Sequence, residues 1–272
     1  MTSNTAHQDA AVADRTILAN AAYADGRHLA ARQSIYQWQR PQYDLPGIVV
    51  DELAATSGTV LDIGCGNGKF VGRLHHDRPD LQIVGTDISA GILADVEKPV
   101  LVADAQALPF ADDSADAVLA LHMLYHVSDI ETTIKELARV LRPGGVLIAS
   151  TNSDTDKQEL DRLWARAAGD VLGIPEGPAR VSLSSRFSLE KAPGYLGTAF
   201  KDIRVWELPG TIEITDPAPI VAHLASYEAW ADQCGVPFHE TVSRAAEIAA
   251  ATIATEGSFK ITCLGGILIC HP

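Results

Sequence analysis

Basic residues are scarce in this chain of 272 residues. It has 21 lysines and arginines against 35 aspartates and glutamates, which gives a formal net charge of −14. Nucleic acids are bound largely through their phosphates, and phosphate binding requires a basic protein surface. The composition therefore argues against RNA or DNA as a partner, although it does not exclude a protein substrate.

Long apolar runs are missing as well. No stretch approaches the roughly 20 apolar residues that a membrane-spanning helix needs. The first residues, MTSNTAHQDAAVADR, lack the basic and then apolar pattern of a secretory signal. We therefore expect no membrane association and a cytoplasmic location.

Cysteines are few, and their spacing is not that of a metal site. The chain has four scattered cysteines: Cys65, Cys234, Cys263 and Cys270. Zinc sites use pairs of cysteine or histidine ligands a few residues apart, so we expect no metal. Scattered cysteines are also typical of a reduced compartment, in agreement with a cytoplasmic location.

One stretch, TVLDIGCGNGKF at residues 59–70, predicts a binding turn. An apolar run predicts a buried strand with Asp62 near its end; the chain then breaks at Gly64, Gly66 and Gly68 and resumes as an amphipathic helix. Glycines at alternate positions let the backbone turn sharply and let a ligand lie against it without interference from Cβ atoms. The stretch is therefore a candidate ligand-binding turn.

A second apolar strand, IVGTD at 83–87, ends in Asp87, 23 residues beyond Gly64. In a β-α-β unit, an acid at this position faces the ribose of a nucleoside that lies over the glycine turn. The dinucleotide fingerprint needs a sixth-position glycine, but this chain has Lys69 there, and Asp62 precedes the glycines. Because this acid would repel a pyrophosphate and attract an ammonium or sulfonium group, the pattern favours a cationic nucleoside over a nicotinamide dinucleotide.

Five motifs, in the right order and spacing, resemble the class I S-adenosylmethionine-dependent methyltransferases, in particular the small-molecule, quinone-type and natural-product group. They are VLDIGCGNG (60–68), VGTDIS (84–89), ADAQALPFADDSADAV (103–118), LHMLYHV (121–127) and ELARVLRPGGVLI (136–148). The resemblance implies S-adenosyl-L-methionine as the cofactor. It also implies an α/β, Rossmann-like fold with a seven-stranded, mostly parallel sheet flanked by helices, the last two strands being antiparallel.

The resemblance also implies which residues hold the cofactor. Asp104 and the backbone N–H of Ala105 would bind the adenine edge, and Arg32, on an N-terminal lid, would bind the methionine carboxylate through a bidentate ion pair. The alternatives are that Asp104 caps a turn and that Arg32 is a solvated helix charge. The full predicted set is Asp62, Gly64, Gly66, Asp87, Ile88, Asp104, Ala105, Leu121 and Arg32.

We interpret the chain as one domain. Its parts are a helical lid (1–57), a cofactor-binding core (58–151), an insertion over the site (152–187) and the rest of the sheet (188–272) with a helical cap (217–255). Local patterns further predict disorder over 1–15, helices over 90–96 and 188–200, a capping box over 128–131 and a β-bulge at 265–266.

Methyl transfer is a displacement at an already activated carbon, so the protein must mainly orient the reactants and, for a protic acceptor, remove a proton. His122 and His126 follow the fourth strand and would share one face of a helical turn. Tyr23 on the lid could contact the cofactor or orient the substrate, the alternative being that it is a packing residue. These three are the candidate catalytic residues, although a structural role for His126 is the alternative, and His223 and His239 in the cap are further candidates.

The flanking segments hold all four tryptophans, Trp38, Trp164, Trp206 and Trp230. Either they form aromatic walls for a planar acceptor or they fill the core of the added helices. The first reading favours methyl transfer to a small, ring-containing molecule of specialised metabolism, at oxygen, nitrogen or an electron-rich carbon such as that of an indole. The alternative is an adenosylmethionine-binding protein with other chemistry, such as a cyclase, or a regulatory role. The oligomeric state stays open, with a homodimer as one option.

Overall fold

Eight strands form one mixed sheet in the computed structural model, which describes residues 2–272 and their side chains from residue 7 onward. The strands are β1 (Gln39–Arg40), β2 (Thr59–Ile63), β3 (Gln82–Asp87), β4 (Val100–Val102), β5 (Ala115–Leu121), β6 (Leu141–Asn152), β7 (Asp202–Ile214) and β8 (Phe259–His271). Seven of them correspond to the predicted sheet. The eighth, β1, is a two-residue addition that pairs with β7.

The strand order is β1-β7-β8-β6-β5-β2-β3-β4. Strands β2 to β6 are mutually parallel, while β8 runs antiparallel to both of its neighbours, β6 and β7. The chain moves outward from β2 to β4 and then returns to place β5 on the other side of β2. Such a reversal opens a crevice at the carboxyl ends of the central strands, which is where open α/β sheets bind ligands.

Ten α-helices cover the sheet in the described part of the chain. They are α1 (Thr2–Val12), α2 (Arg15–Ile17), α3 (Arg27–Ser34), α4 (Leu45–Glu52), α5 (Lys69–Asp77), α6 (Ile130–Val140), α7 (Gln158–Leu172), α8 (Ala192–Leu196), α9 (Ala218–Ala225) and α10 (Phe238–Glu256). Among the residues described, no helix combines the length and apolarity needed to cross a membrane. The division into lid, core, insertion and cap stays a prediction.

The N-terminal segment is ordered, so the prediction of disorder over 1–15 is wrong for its described residues. Helix α1 ends in the buried residues Ala11 and Val12. The Trp230 indole donates a hydrogen bond to the Ala11 carbonyl (3.1 Å), and the Gln8 amide donates to the carbonyl of Gln233 (3.3 Å). The polar composition concealed this order because the anchoring groups lie more than 200 positions away in the chain.

The segment 90–96 forms consecutive turns, so the predicted helix is wrong. It packs against the N-terminal segment around Tyr23 and Ala24. The Ser89 hydroxyl donates to the Tyr23 carbonyl (2.8 Å), and a Cβ at Gly91 would lie 2.0 Å from the Ala24 carbonyl oxygen. This close backbone approach requires glycine and a turn at this point.

Three other local predictions need correction. The cap of α6 is Asp129, whose carboxylate accepts from the Thr132 N–H, and not a box beginning at Ser128. The helix expected over 188–200 shortens to α8. Gly265 and Gly266 pair in continuous register with both β6 and β7, without a bulge. A Cβ at Gly266 would lie 2.8 Å from the Leu189 side chain, so close packing explains this glycine.

Candidate functional site

A single cavity brings together all twelve of the residues predicted for the site. It lies at the carboxyl ends of β2, β3 and β5 and is also lined by residues of the N-terminal segment, of 152–184 and of the segment around α9. The predicted residues that line it are Tyr23, Arg32, Asp62, Gly64, Gly66, Asp87, Ile88, Asp104, Ala105, Leu121, His122 and His126. Their individual roles stay predictions, but their convergence on one space is a property of the fold.

The glycine turn leads from β2 into α5 along the floor of the cavity. Gly64 adopts a left-handed backbone (φ +70°), and a Cβ there would lie 2.7 Å from the Cβ of Met123. Both the conformation and the space therefore require glycine. Cys65, Gly66 and Asn67 of the turn line the cavity together with Gly64.

Asp87, at the end of β3, is fixed by backbone donors. The Gly66 N–H donates to one carboxylate oxygen (3.0 Å) and the Ser89 N–H to the other (3.0 Å). Burial raises the pKa of Asp87, while these backbone donors oppose the shift. Each oxygen keeps a second lone pair with which it can accept a hydroxyl, so the carboxylate can bind a vicinal diol.

Asp62 is a buried acid without compensation. Its side chain is almost fully buried, and its Oδ2 has no hydrogen-bond partner within the described residues. Burial, and then the charge of Asp87, raise the pKa of Asp62 to about 7. A carboxylate in this state gains strongly from a cationic group brought to it.

Asp104 lies after β4 and forms an ion pair with Arg15 of α2, a contact the sequence did not reveal. Its other oxygen accepts from the Gln106 N–H (3.0 Å). The N-terminal segment therefore reaches across the cavity mouth to this acid. The predicted adenine contact and the capping alternative both stay open, since the carboxylate caps a turn and also lines the cavity.

Tyr23 and His126 form a directed pair. The His126 Nδ1 lies 3.0 Å from the Val12 carbonyl, which can only accept, so Nδ1 carries the proton and Nε2 is the acceptor. The Tyr23 hydroxyl, 2.6 Å from Nε2, must then be the donor. Burial raises the pKa of Tyr23 and lowers that of His126 to about 3, which makes the imidazole a weak base.

His122 does not share a helical face with His126, so that prediction is wrong. Its backbone is left-handed (φ +55°), and only Leu124–His126 forms a short 3-10 turn. Burial lowers the pKa of His122 to about 4, with the nearby charges of Lys157 and Lys69 adding to the effect. Both histidines are therefore neutral near pH 7.

The far end of the cavity holds residues that sequence reasoning missed. They are Tyr36 before β1, Lys157 and Arg180 in the segment 152–187, and Tyr227 after α9. His223, a further candidate from the sequence, lines the cavity with them. His239 is exposed and pairs instead with Glu228. Among these residues Lys157 has an unusual, left-handed backbone (φ +58°), which cannot be recognised from the sequence.

The tryptophans do not form the walls of this cavity. Trp164 and Trp230 are fully buried in the core beneath the helices, and Trp206 is 44% exposed. Of the lining residues that the structure describes, the aromatic ones are tyrosines, histidines and Phe70. The added helices therefore use tryptophan for their own core, and tyrosine provides the aromatic lining.

Residues 61–149, which contain the glycine turn, Asp87 and Asp104, match the family described as "Methyltransferase domain". These residues form a domain of the class I S-adenosylmethionine-dependent methyltransferases. S-adenosylmethionine is therefore its cofactor, and the resemblance read from the five motifs is confirmed.

Curated relatives of this methyltransferase chain act on different acceptors according to their names. It is 33% identical over 155 residues to a tRNA (carboxymethyluridine(34)-5-O)-methyltransferase of Arabidopsis thaliana, which covers 52% of this chain and 37% of the relative. It is 35% identical over 96 residues to the ubiquinone/menaquinone C-methyltransferase UbiE of Desulfotalea psychrophila, covering 33% and 39%. The chain thus spans less than half the length of these relatives.

Solved methyltransferase structures share the fold. The phosphoethanolamine N-methyltransferase 2 of Haemonchus contortus, solved with phosphomonomethylethanolamine and S-adenosylhomocysteine, superposes with a TM-score of 0.55. The match covers 95% of this chain and 60% of that one at 18% identity. At this identity the comparison supports the Rossmann-like architecture alone.

Proposed function

We propose that the protein transfers the methyl group of S-adenosylmethionine to a small, ring-containing molecule of specialised metabolism, at oxygen, nitrogen or an electron-rich carbon. The observation that carries the proposal is one continuous cavity. It joins the acid-lined sheet edge, with Asp62 and Asp87, to a tyrosine-rich end closed by lid and cap. The first end suits a cationic nucleoside and the second a planar acceptor.

In this proposal the cofactor is held mainly at the sheet edge. Asp87 accepts the two ribose hydroxyls, Asp62 attracts the methionine ammonium, and Asp104 with the Ala105 N–H meets the adenine edge. The glycine turn at Gly64 and Gly66 allows close approach, while Ile88 and Leu121 supply apolar contacts. The bound cofactor supplies an activated methyl group; the protein contributes orientation and electrostatics.

One relative is named as a tRNA methyltransferase, but the acidic composition of this chain favours a small acceptor over tRNA. The formal charge of −14 opposes phosphate-backbone binding. Side chains from the lid, such as Tyr23 and Leu18, and from the cap, such as Tyr227, line the cavity from above. We retain a cytoplasmic location and a homodimer as proposals that cell fractionation and light scattering can test.

Tyr23 is the residue proposed to orient the acceptor. Its proton is donated to His126, so its free lone pairs can accept a hydrogen bond from an acceptor O–H or N–H. We expect Tyr23→Phe to lower kcat by about 100-fold for such an acceptor. Steady-state kinetics measure this, with Tyr43→Phe, a tyrosine outside the cavity lining, as the matched control. An unchanged kcat in Tyr23→Phe would remove the residue from the mechanism.

The proposed role of Asp62 predicts a pH dependence of cofactor binding. With a pKa of about 7, the carboxyl is mostly protonated at pH 6 and ionised at pH 8. Because only the ionised form attracts an ammonium group, we expect affinity for S-adenosylhomocysteine to fall roughly tenfold from pH 8 to pH 6. Calorimetry at both values measures this. Asp62→Asn should bind weakly at both, and a flat wild-type profile would contradict the assignment.

Two experiments test the proposed function. Equilibrium dialysis compares S-adenosylmethionine with nicotinamide dinucleotide; tight binding of only the latter would overturn the proposal. Incubation with methyl-labelled cofactor and a panel of phenols, indoles, amines, quinols and bulk tRNA then identifies the labelled product. Binding of the cofactor without label transfer to any acceptor would support the alternative of a non-methylating protein on this scaffold.

A further inference from the structure

Arg32 is a buried cation without an anion. Its side chain is only 7% exposed, and its Nη1 donates to the Ser226 carbonyl (2.8 Å). Its Nη2 has no hydrogen-bond partner, and no carboxylate lies within 4.0 Å of the guanidinium, in the part of the chain that the structure describes. A buried charge left in this state is strongly unfavourable, so the site calls for an anionic partner.

The other buried cations of the cavity are already paired. Lys157 forms an ion pair with Asp156, and Arg180 lies 2.6 Å from Asp161. Arg32 therefore differs from its neighbours in lacking a carboxylate among the described residues. The Arg32 guanidinium carbon is instead 5.1 Å from the ring centre of Tyr23 and 5.8 Å from that of Tyr227. Aromatic faces attract a cation, but they leave its in-plane N–H donors free.

His223, on α9, is a second unsatisfied group at the same end. It is 2% exposed, and neither ring nitrogen has a hydrogen-bond partner among the residues described. Its ring centre lies 5.6 Å from that of Tyr227, and it lines the same cavity as Arg32. Burial keeps the imidazole neutral, so it offers one N–H donor and one acceptor.

We propose that Arg32 and His223, grouped around the Tyr227 ring, bind an oxyanion of the methyl acceptor, a carboxylate or a phosphate. The inference rests on the proposed function and narrows it to ring-containing acceptors that carry an anionic group. The planar fork of Arg32 matches an oxyanion bidentately, and His223 adds one N–H donor. Tyr227 supplies the aromatic surface between them.

The sequence-based alternative is that Arg32 binds the methionine carboxylate of the cofactor. The observed contacts of Arg32 come from lid and cap, namely Tyr23, Ser226, Tyr227 and Trp230. Among the described residues, none of these contacts is with the glycine turn or with Asp62, where the methionine end of the cofactor is proposed to lie. This favours the acceptor.

Calorimetry with matched probes tests the proposal on the full chain saturated with S-adenosylhomocysteine. The pairs are indole-3-acetate with indole-3-acetamide and phenyl phosphate with phenol, which distinguish a carboxylate from a phosphate. We expect at least one acid to bind about tenfold more tightly than its neutral analogue. Arg32→Gln and His223→Leu should each reduce that preference, Arg32→Lys should retain part of it, and Arg27→Gln, on the exposed face of α3, should leave it unchanged.

Two outcomes would overturn the inference. One is that wild-type protein binds the acids and neutral analogues alike, a result that does not depend on any variant folding. The other is that Arg32→Gln weakens S-adenosylhomocysteine binding while the acid preference stays intact, which would assign Arg32 to the cofactor. If S-adenosylhomocysteine itself does not bind, the proposed function fails, and the same probe pairs titrated without it still test the oxyanion subsite.

Discussion

Replacing Asp87 by alanine is expected to weaken cofactor binding by about 100-fold or more while the fold stays intact. The carboxylate already accepts one backbone N–H on each oxygen, and each oxygen can also accept one ribose hydroxyl. Hydrogen bonds to a charged group are worth about 1.5–3 kcal/mol each, so losing two removes about 3–6 kcal/mol. Calorimetry with S-adenosylhomocysteine measures the loss, and circular dichroism verifies the fold.

Asp95→Ala is the matched control for this experiment. Asp95 is an exposed acid in the turn segment that follows β3, and it lies outside the cavity lining. Its removal changes the net charge by the same amount without touching the proposed ribose site. Equal affinities for wild-type and Asp87→Ala protein would refute the ribose assignment. Equal losses of affinity in Asp87→Ala and Asp95→Ala would show that the effect comes from the change in net charge.

The end of the cavity that we propose binds the cofactor could be predicted, because residues close together in the sequence form it. An apolar strand, a glycine turn and a helix follow one another within 59–77, and Asp87 ends the next strand. Parallel pairing of β2 with β3 then brings the two acids to one edge without any distant contact. Short-range pattern and the general rule for open α/β sheets suffice at this end.

The other end of the cavity, where we propose that the acceptor binds, could not be predicted, because distant contacts create it. Tyr23 meets His126 across 103 positions, and Arg32 meets the Ser226 carbonyl across 194. The same holds for α1, whose polar sequence indicated disorder and whose Ala11 carbonyl accepts a hydrogen bond from the distant Trp230. None of these contacts has a local periodicity or spacing, so the sequence supplied candidate residues there without their partners.

The tryptophans illustrate why composition misleads at this end. Trp164 and Trp230 are the largest fully buried side chains, and they fill the core that the added helices share with α1 and α10. Tyrosine lines the cavity instead, since its hydroxyl can hydrogen-bond beside an apolar ring. A count of aromatic residues per segment cannot distinguish these two environments.

Gly64→Ala is expected to destabilise the protein by about 2–5 kcal/mol and to abolish measurable cofactor binding. A left-handed backbone costs an alanine about 1–2 kcal/mol. The added Cβ would also lie 2.7 Å from the Cβ of Met123, near the backbone of β5's continuation, where little can shift. Overpacking of this kind costs about 1–3 kcal/mol more. Urea unfolding measures the loss of stability, and calorimetry the loss of binding.

Gly144→Ala separates the two contributions. Gly144 is also left-handed (φ +80°), but a Cβ there meets no described atom within 4 Å, and the residue lies outside the cavity lining. Gly144→Ala should therefore lose only the stability that a left-handed backbone costs an alanine, about 1–2 kcal/mol, and should retain cofactor affinity. Similar losses of stability in both variants would show that the Met123 side chain can move away from the added Cβ without a measurable loss of unfolding free energy. The turn would then owe its glycine to backbone conformation alone, and the close packing of Gly64 against the segment after β5 would not contribute to the cofactor site.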